Sequence, residues 1–202
     1  MHLHLASIDP RWALQAPALQ ALVDALDHSL QDAAPEAEVL NRLRPLLAQL
    51  VATDDWLPAT HAVPHPQHYQ QYPLYVDPQA RFSVVSFVWG PGQVTPIHDH
   101  TVWGLIGMLR GAEYSQAYRL GSDGRPLAEG RALRLEPGHV EAVSPEVGDI
   151  HQVRNAYDDR VSISIHVYGA DIGAVRRSVY REDGSRQDFI SGYSTFPTSL
   201  VP

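Results

Sequence analysis

Two histidines one residue apart, His98 and His100 in Pro96-Ile97-His98-Asp99-His100-Thr101-Val102-Trp103-Gly104, are the residues of this chain best suited to chemistry. On an extended segment side chains alternate with period two, so this spacing sends both imidazoles to one face. Neutral imidazoles that converge on a point make a metal site, and imidazole suits Zn, Cu, Fe and Ni. A third ligand candidate, His151, lies in Gly148-Asp149-Ile150-His151-Gln152-Val153-Arg154-Asn155. A second constellation is Ser162-Ile163-Ser164-Ile165-His166-Val167-Tyr168. On a strand, Ser164, His166 and Tyr168 share a face, and Ile163, Ile165 and Val167 take the other. Either that polar face meets water, or, in a barrel with an internal metal, it is a Ser–His–Tyr relay aimed at the bound reactants.

The elements that must position these residues fall into two regimes. Leu19, Leu22, Val23, Leu26 and Leu30 recur at three-to-four spacing, as do Val39, Leu43, Leu47 and Leu50, which predicts two amphipathic helices. Pro35 suits the first turn of the second helix, and Pro45 inside it predicts a kink or an early stop. From about Tyr72 the rhythm changes. Phe82 to Trp89 is a strand rich in β-branched and aromatic residues, stopped by Gly90-Pro91-Gly92. Further short strands are expected at Val102–Leu109, Ala112–Leu120, Ala132–Leu135, Val140–Val143, His151–Val153 and Val161–Val167, with turn residues between them. That pattern predicts a closed barrel or sandwich, mainly β, with a helical cap over about 10–55, a barrel over about 69–180 and an extended tail over 181–202. One domain is expected at this length.

Composition narrows the partners. The formal net charge of -8 disfavours nucleic acid. The absence of cysteine excludes disulfides, thiolate-bound zinc and a cysteine nucleophile. The N-terminal residues show neither a basic stretch nor a long apolar run, and no segment approaches the ~18 apolar residues of a membrane span, so a cytoplasmic protein is expected. The oligomeric state stays open between monomer and homo-oligomer. His61, His65 and His68 crowd a Pro-rich loop and read as adventitious metal binders at most; His2 and His4 read as exposed, and His139 as a turn residue.

The paired motifs resemble those of the cupin family. Its first motif is matched by Gly92, His98, His100 and Gly111, with Gly104 standing where that family carries a glutamate ligand. Its second is matched by Gly148, His151 and Asn155, with Pro145 one residue further from the glycine than in the family pattern. Together with Ser164, His166 and Tyr168, the set resembles the thiol dioxygenases, the cysteine dioxygenase type of cupin. The resemblance implies a mononuclear non-haem Fe(II) held by His98, His100 and His151, with Ser164, His166 and Tyr168 as an outer relay. It implies O2 and a small thiol as the other reactants, and a sulfinate as product.

Two departures refine this. Mammalian members carry, at the place of Gly104, a cysteine linked to the tyrosine, so here Tyr168 must be free. Their carboxylate-binding arginine corresponds to Gln71, in Tyr69-Gln70-Gln71, which resembles the bacterial 3-mercaptopropionate dioxygenases. In those, the resemblance implies Arg177 as a carboxylate contact. Replacing Arg by Gln removes a fixed cation and a bidentate fork. On residues alone, Gln71 and the Arg176-Arg177 pair read equally as surface groups. The expected activity is thiol dioxygenation of 3-mercaptopropionate. The alternatives are cysteine or mercaptosuccinate as substrate, a three-His cupin that cleaves β-diketones, and a non-enzymatic metal-binding cupin.

Overall fold

The structure, a computed structural model, describes residues 16–31 and 34–196. The expectations for His2 and His4, for the first residues of the helical cap and for the end of the tail lie outside these residues. Helices α1 (Pro17–Gln31) and α2 (Glu36–Leu50) bury the leucines that announced them, Leu19, Leu22 and Leu26 on one and Leu43, Leu47 and Leu50 on the other. Pro35 precedes α2 with extended dihedrals, φ -55° and ψ 145°. The expected early stop at Pro45 does not occur: α2 continues to Leu50. Pro45 itself is exposed, and the buried Leu47 and Leu50 beyond it hold the last turn against the barrel.

Among the described residues eleven strands follow: β1 (Gln70–Val76), β2 (Ser83–Trp89), β3 (Ile97–His98), β4 (Gly104–Arg110), β5 (Glu113–Leu120), β6 (Pro126–Leu135), β7 (Val140–Val143), β8 (His151–Asn155), β9 (Ser162–Tyr168), β10 (Arg177–Tyr180) and β11 (Arg186–Phe189). They form two antiparallel sheets, in the orders β1-β2-β9-β4-β7 and β11-β10-β3-β8-β5-β6. This is a mainly β, double-stranded β-helix barrel with two N-terminal helices.

The first sheet is covered on both faces. Val84, Val88, Leu105, Leu109, Ile163, Ile165 and Val167 join the helix leucines in one apolar cluster. The alternate residues of the same strands, Val85, Phe87, Trp89 and Tyr168, point into the barrel. Hence all seven residues of β9 are buried. The reading of Ser164, His166 and Tyr168 as a face in water is overturned, because β9 is central and its polar side is the barrel lining. Gly107 lets α2 come close: a Cβ there would stand 2.9 Å from Leu47 Cγ.

Two local expectations are corrected. The His98–His100 segment is a strand only as far as His98; residues 99–103 form a loop, in which Thr101 takes a positive φ of 60°. The segment after Arg181 turns over residues 182–185 and forms strand β11, paired to β10, before running irregularly over residues 190–196. There Gln71 N–H donates to Ser194 Oγ and Ser194 N–H to Gln71 O, so this strap is tied to the edge of β1.

Candidate metal centre

Register brings the three histidines together. His98 on β3 is the direct cross-strand partner of His151 on β8, and His100 follows in the loop. Their rings lie 4.8–5.0 Å apart between centroids, and one nitrogen of each falls within 4.8 Å of the others. All three are buried. Each has its Nδ1 occupied: His98 against Pro96 O at 3.0 Å, His100 against Asp149 Oδ1 at 3.1 Å, and His151 against Ser115 Oγ at 3.3 Å. With Nδ1–H donating outward, Nε2 keeps its lone pair for the common point. His100 Nε2 is buried and has no hydrogen-bond partner.

Burial holds His98 down to about 4 and His100 and His151 well below the usual imidazole range. All three are therefore neutral at pH 7, which is the ligating form. An orphaned buried nitrogen among convergent neutral imidazoles fits a divalent metal ion.

The supporting contacts were not legible in advance. Asp149 accepts from the backbone N–H groups of His100 and Thr101, both at 2.9 Å, and so holds the strained Thr101 turn. Asp99 faces the other way. It accepts from Ser178 N–H and from the Tyr180 hydroxyl, each at 2.7 Å, pinning the loop to β10. The only advance signal was position: one acid sits between the two histidines, and the other stands two residues before the third.

Gly104 proves to be a packing requirement. A Cβ there would lie 2.8 Å from Tyr168 Cδ1 and 3.2 Å from Val143 Cγ2. The Tyr168 ring occupies the space that a carboxylate side chain at this position would need.

Ser164, His166 and Tyr168 form a continuous chain. Ser164 Oγ lies 2.8 Å from His166 Nε2, and His166 Nδ1 lies 2.8 Å from the Tyr168 hydroxyl. Trp89 Nε1–H donates to Ser164 Oγ at 3.1 Å, and Phe87 stacks on the His166 ring at 3.9 Å. Tyr168 in turn stacks on His100 at 5.5 Å. At the far end Ser164 Oγ meets Glu113 Oε2 at 3.0 Å, a fully buried acid that sequence reasoning passed over. Its signal was period two along β5, which puts Glu113 and Ser115 on the inward face.

Arg177 and Gln71 line the same cavity of about 630 Å3 as the three histidines and Tyr168. The reading of Arg177 as half of a solvated pair is overturned: it is 4% exposed, whereas Arg176 beside it is open to water. Arg177 donates from Nη2 to Ser191 Oγ at 2.6 Å and lies 4.7 Å over the Phe189 ring. Its Nε has no partner, and among the described residues no carboxylate pairs with it. Gln71 is half-buried, and its Oε1 is also without a partner. Of the other histidines, His61 is buried against Phe196, and His65 lies tilted against His68 with ring centroids 3.9 Å apart.

No family model matches the sequence. Among solved structures, the chain is similar to a Klebsiella pneumoniae protein with a double-stranded β-helix domain, at 16% identity and a TM-score of 0.42, covering 58% of this chain and 92% of that one. A cupin superfamily protein from Desulfitobacterium hafniense matches at 14% identity and a TM-score of 0.43, over 57% and 90%. An RmlC-like cupin from Desulfovibrio desulfuricans matches at 18% identity and a TM-score of 0.40, over 58% and 95%. At these similarities the chemistry must be read from the residues of this chain itself. Among the described residues no helix is long and apolar enough to cross a membrane.

Proposed function

We propose that this chain is an Fe(II)- and O2-dependent thiol dioxygenase that converts 3-mercaptopropionate to its sulfinate. The observation that carries the reading is Arg177: a buried guanidinium with no carboxylate partner, in the same cavity as three convergent neutral imidazoles. An ion taken out of water without a counter-ion is costly, so the site is built to receive an anion. The planar fork of Arg suits a carboxylate.

The rest of the lining selects among thiol carboxylates. Among the described residues, no Asp or Glu faces the cavity, so an α-ammonium group finds no counter-charge there. Cysteine carries that group and 3-mercaptopropionate does not. Mercaptosuccinate brings a second carboxylate, whereas among the described residues Arg177 is the one Arg or Lys in the lining. Gln71 presents a neutral amide, which orients a carboxylate without adding charge.

Bound at the three histidines, Fe(II) would supply a place for the thiolate sulfur and activate O2 for transfer of both its atoms to that sulfur. The residues of the chain do the remainder. Arg177 binds the carboxylate and fixes the reach of the thiol. Tyr168 offers its hydroxyl beside His100, held by His166, and burial keeps that phenol well above its ordinary range and hence protonated. Phe87 and Trp89 give the cavity an apolar wall that limits water. The test is O2 uptake by Fe(II)-loaded protein with 3-mercaptopropionate, L-cysteine and mercaptosuccinate side by side. The highest kcat/KM is expected for 3-mercaptopropionate. Preference for L-cysteine would overturn the charge argument, and no uptake with any thiol would overturn the activity.

A further inference from the structure

We propose that Glu113 is the positioning residue that sets the direction of the Ser164–His166–Tyr168 chain and holds the proton that replenishes Tyr168. Ser164 Oγ has one hydrogen to give and three neighbours: Trp89 Nε1, Glu113 Oε2 and His166 Nε2. Trp89 can only donate, so the serine accepts from it in every state.

If Glu113 is a neutral acid, its O–H donates to Ser164 Oγ, and Ser164 donates to His166 Nε2. His166 then carries its hydrogen on Nδ1 and donates to the Tyr168 oxygen, leaving the Tyr168 O–H free to donate into the cavity. If Glu113 is a carboxylate, every bond reverses. Ser164 donates to Glu113, His166 Nε2–H donates to Ser164, and Tyr168 must turn its hydrogen back onto His166 Nδ1. The phenol then meets the cavity only as an acceptor, which suits neither a carboxylate nor any other anion.

The two states differ by one proton, and the balance closes along the chain. When the Tyr168 hydrogen leaves to an acceptor in the cavity, the Nδ1 hydrogen moves to the phenol oxygen, the serine hydrogen to Nε2 and the Glu113 hydrogen to Ser164. Glu113 ends as the carboxylate, the acceptor in the cavity holds the transferred proton, and Ser164, His166 and Tyr168 keep their charge.

The surroundings of Glu113 favour the neutral acid at pH 7. It is fully buried, and its Oε1 has no partner, which a carbonyl oxygen tolerates better than half of a carboxylate. Burial, with Glu141 from β7 adding like charge, raises it to about 8, against the lowering bond from Ser164. Glu141 is itself raised by burial. From β8 the residue opposite is Asn155 and from β6 it is Leu135, neither charged. From β9 come Ser164, His166 and Tyr168; the cation on the helix side, Arg44 of α2, bears on Glu141. His166 is held well below its usual range by burial, so it stays neutral and only its tautomer changes.

The role of Tyr168 as donor rests on the proposed function, but the test does not. Histidine-15N-labelled, metal-free full-length protein is followed by NMR below and above pH 8, with His166 assigned by its loss in His166→Asn. The wild type is expected to show the Nδ1–H tautomer at low pH and Nε2–H at high pH. In Glu113→Gln no group titrates at this position, so His166 should hold a single tautomer at every pH, Nδ1–H where the amide N–H donates to Ser164. Ser164→Ala should also abolish the switch, by breaking the link to Glu113, and serves if the glutamine variant does not fold. A wild-type tautomer that does not change with pH, or a switch that survives in these variants, overturns the proposal. A switch without thiol oxidation would sink only the dioxygenase reading; thiol oxidation without a switch would sink only this one.

Discussion

Replacing Arg177 by Met removes the guanidinium and keeps most of the side-chain volume, and it should make the ligand-free protein more stable while disabling it. An unpaired ion held out of water costs several kcal/mol even after relaxation. Arg177 recovers part of that through its bond to Ser191 and its seat over Phe189, together about 2–3 kcal/mol. The remainder, about 1–2 kcal/mol, is relieved in Arg177→Met, which for a chain of this length raises Tm by about 2–8 °C. Differential scanning calorimetry of metal-free protein reads it. Propionate, a carboxylate without the thiol, should then stabilise the wild type by mass action and leave the variant unmoved. With thiol substrate, the lost ion pair should lower kcat/KM by about 30-fold to a few thousand-fold. A variant that is less stable than wild type and still responds to propionate would refute the argument, because Arg177 would then be a structural cation with its needs already met.

Other expectations follow from the same geometry. Gly104→Ala drives a Cβ against the Tyr168 ring, so it should cost about 1–3 kcal/mol of stability and lower kcat while the metal stoichiometry, measured by elemental analysis, holds. Asp149→Ala removes the acceptor of two backbone N–H groups and of His100 Nδ1, and should weaken metal binding by about 10–100-fold in a chelator competition. His61 is held down to about 4 by burial, below the unfolded value near 6.5. The unfolded chain therefore binds the proton first, and stability falls as pH drops from about 6.5 towards 4, by about 1.4 kcal/mol per pH unit for this one group. Urea melts of His61→Asn should show that slope reduced by one proton's worth.

Much of the fold was legible because its signals are local. Leucine spacing gave α1 and α2, and turn residues between β-branched runs gave the barrel strands. The one-residue spacing paired His98 with His100, although His100 stands in a loop just past β3; His151 entered as a third candidate from its own motif, and the shared face of Ser164, His166 and Tyr168 followed from period two. What stayed hidden depends on contacts distant in sequence. Glu113 looks like any strand acid until β9 is laid beside it and the burial of its carboxyl is seen. Asp99 and Asp149 gain meaning only from the donors that β10 and the His100 loop bring to them. Arg177 and Arg176 are adjacent and alike in sequence; which of them is buried is decided by the side of β10 that faces the barrel. Pro45 misled because helix propensity is weak against the burial of Leu47 and Leu50. Gly104 was read first as a missing ligand, and the structure adds that it is the floor on which Tyr168 lies.

The proposed activity has a thiol carboxylate and O2 meeting at His98, His100 and His151 and leaving as a sulfinate. Fe(II)-loaded protein turned over with 3-mercaptopropionate under 18O2, with the product examined by mass spectrometry, tests it most directly. A sulfinate in which both oxygen atoms carry the label is expected, with one O2 consumed per product. A product bearing one labelled atom, a disulfide, or unchanged thiol beside fully loaded metal would contradict it.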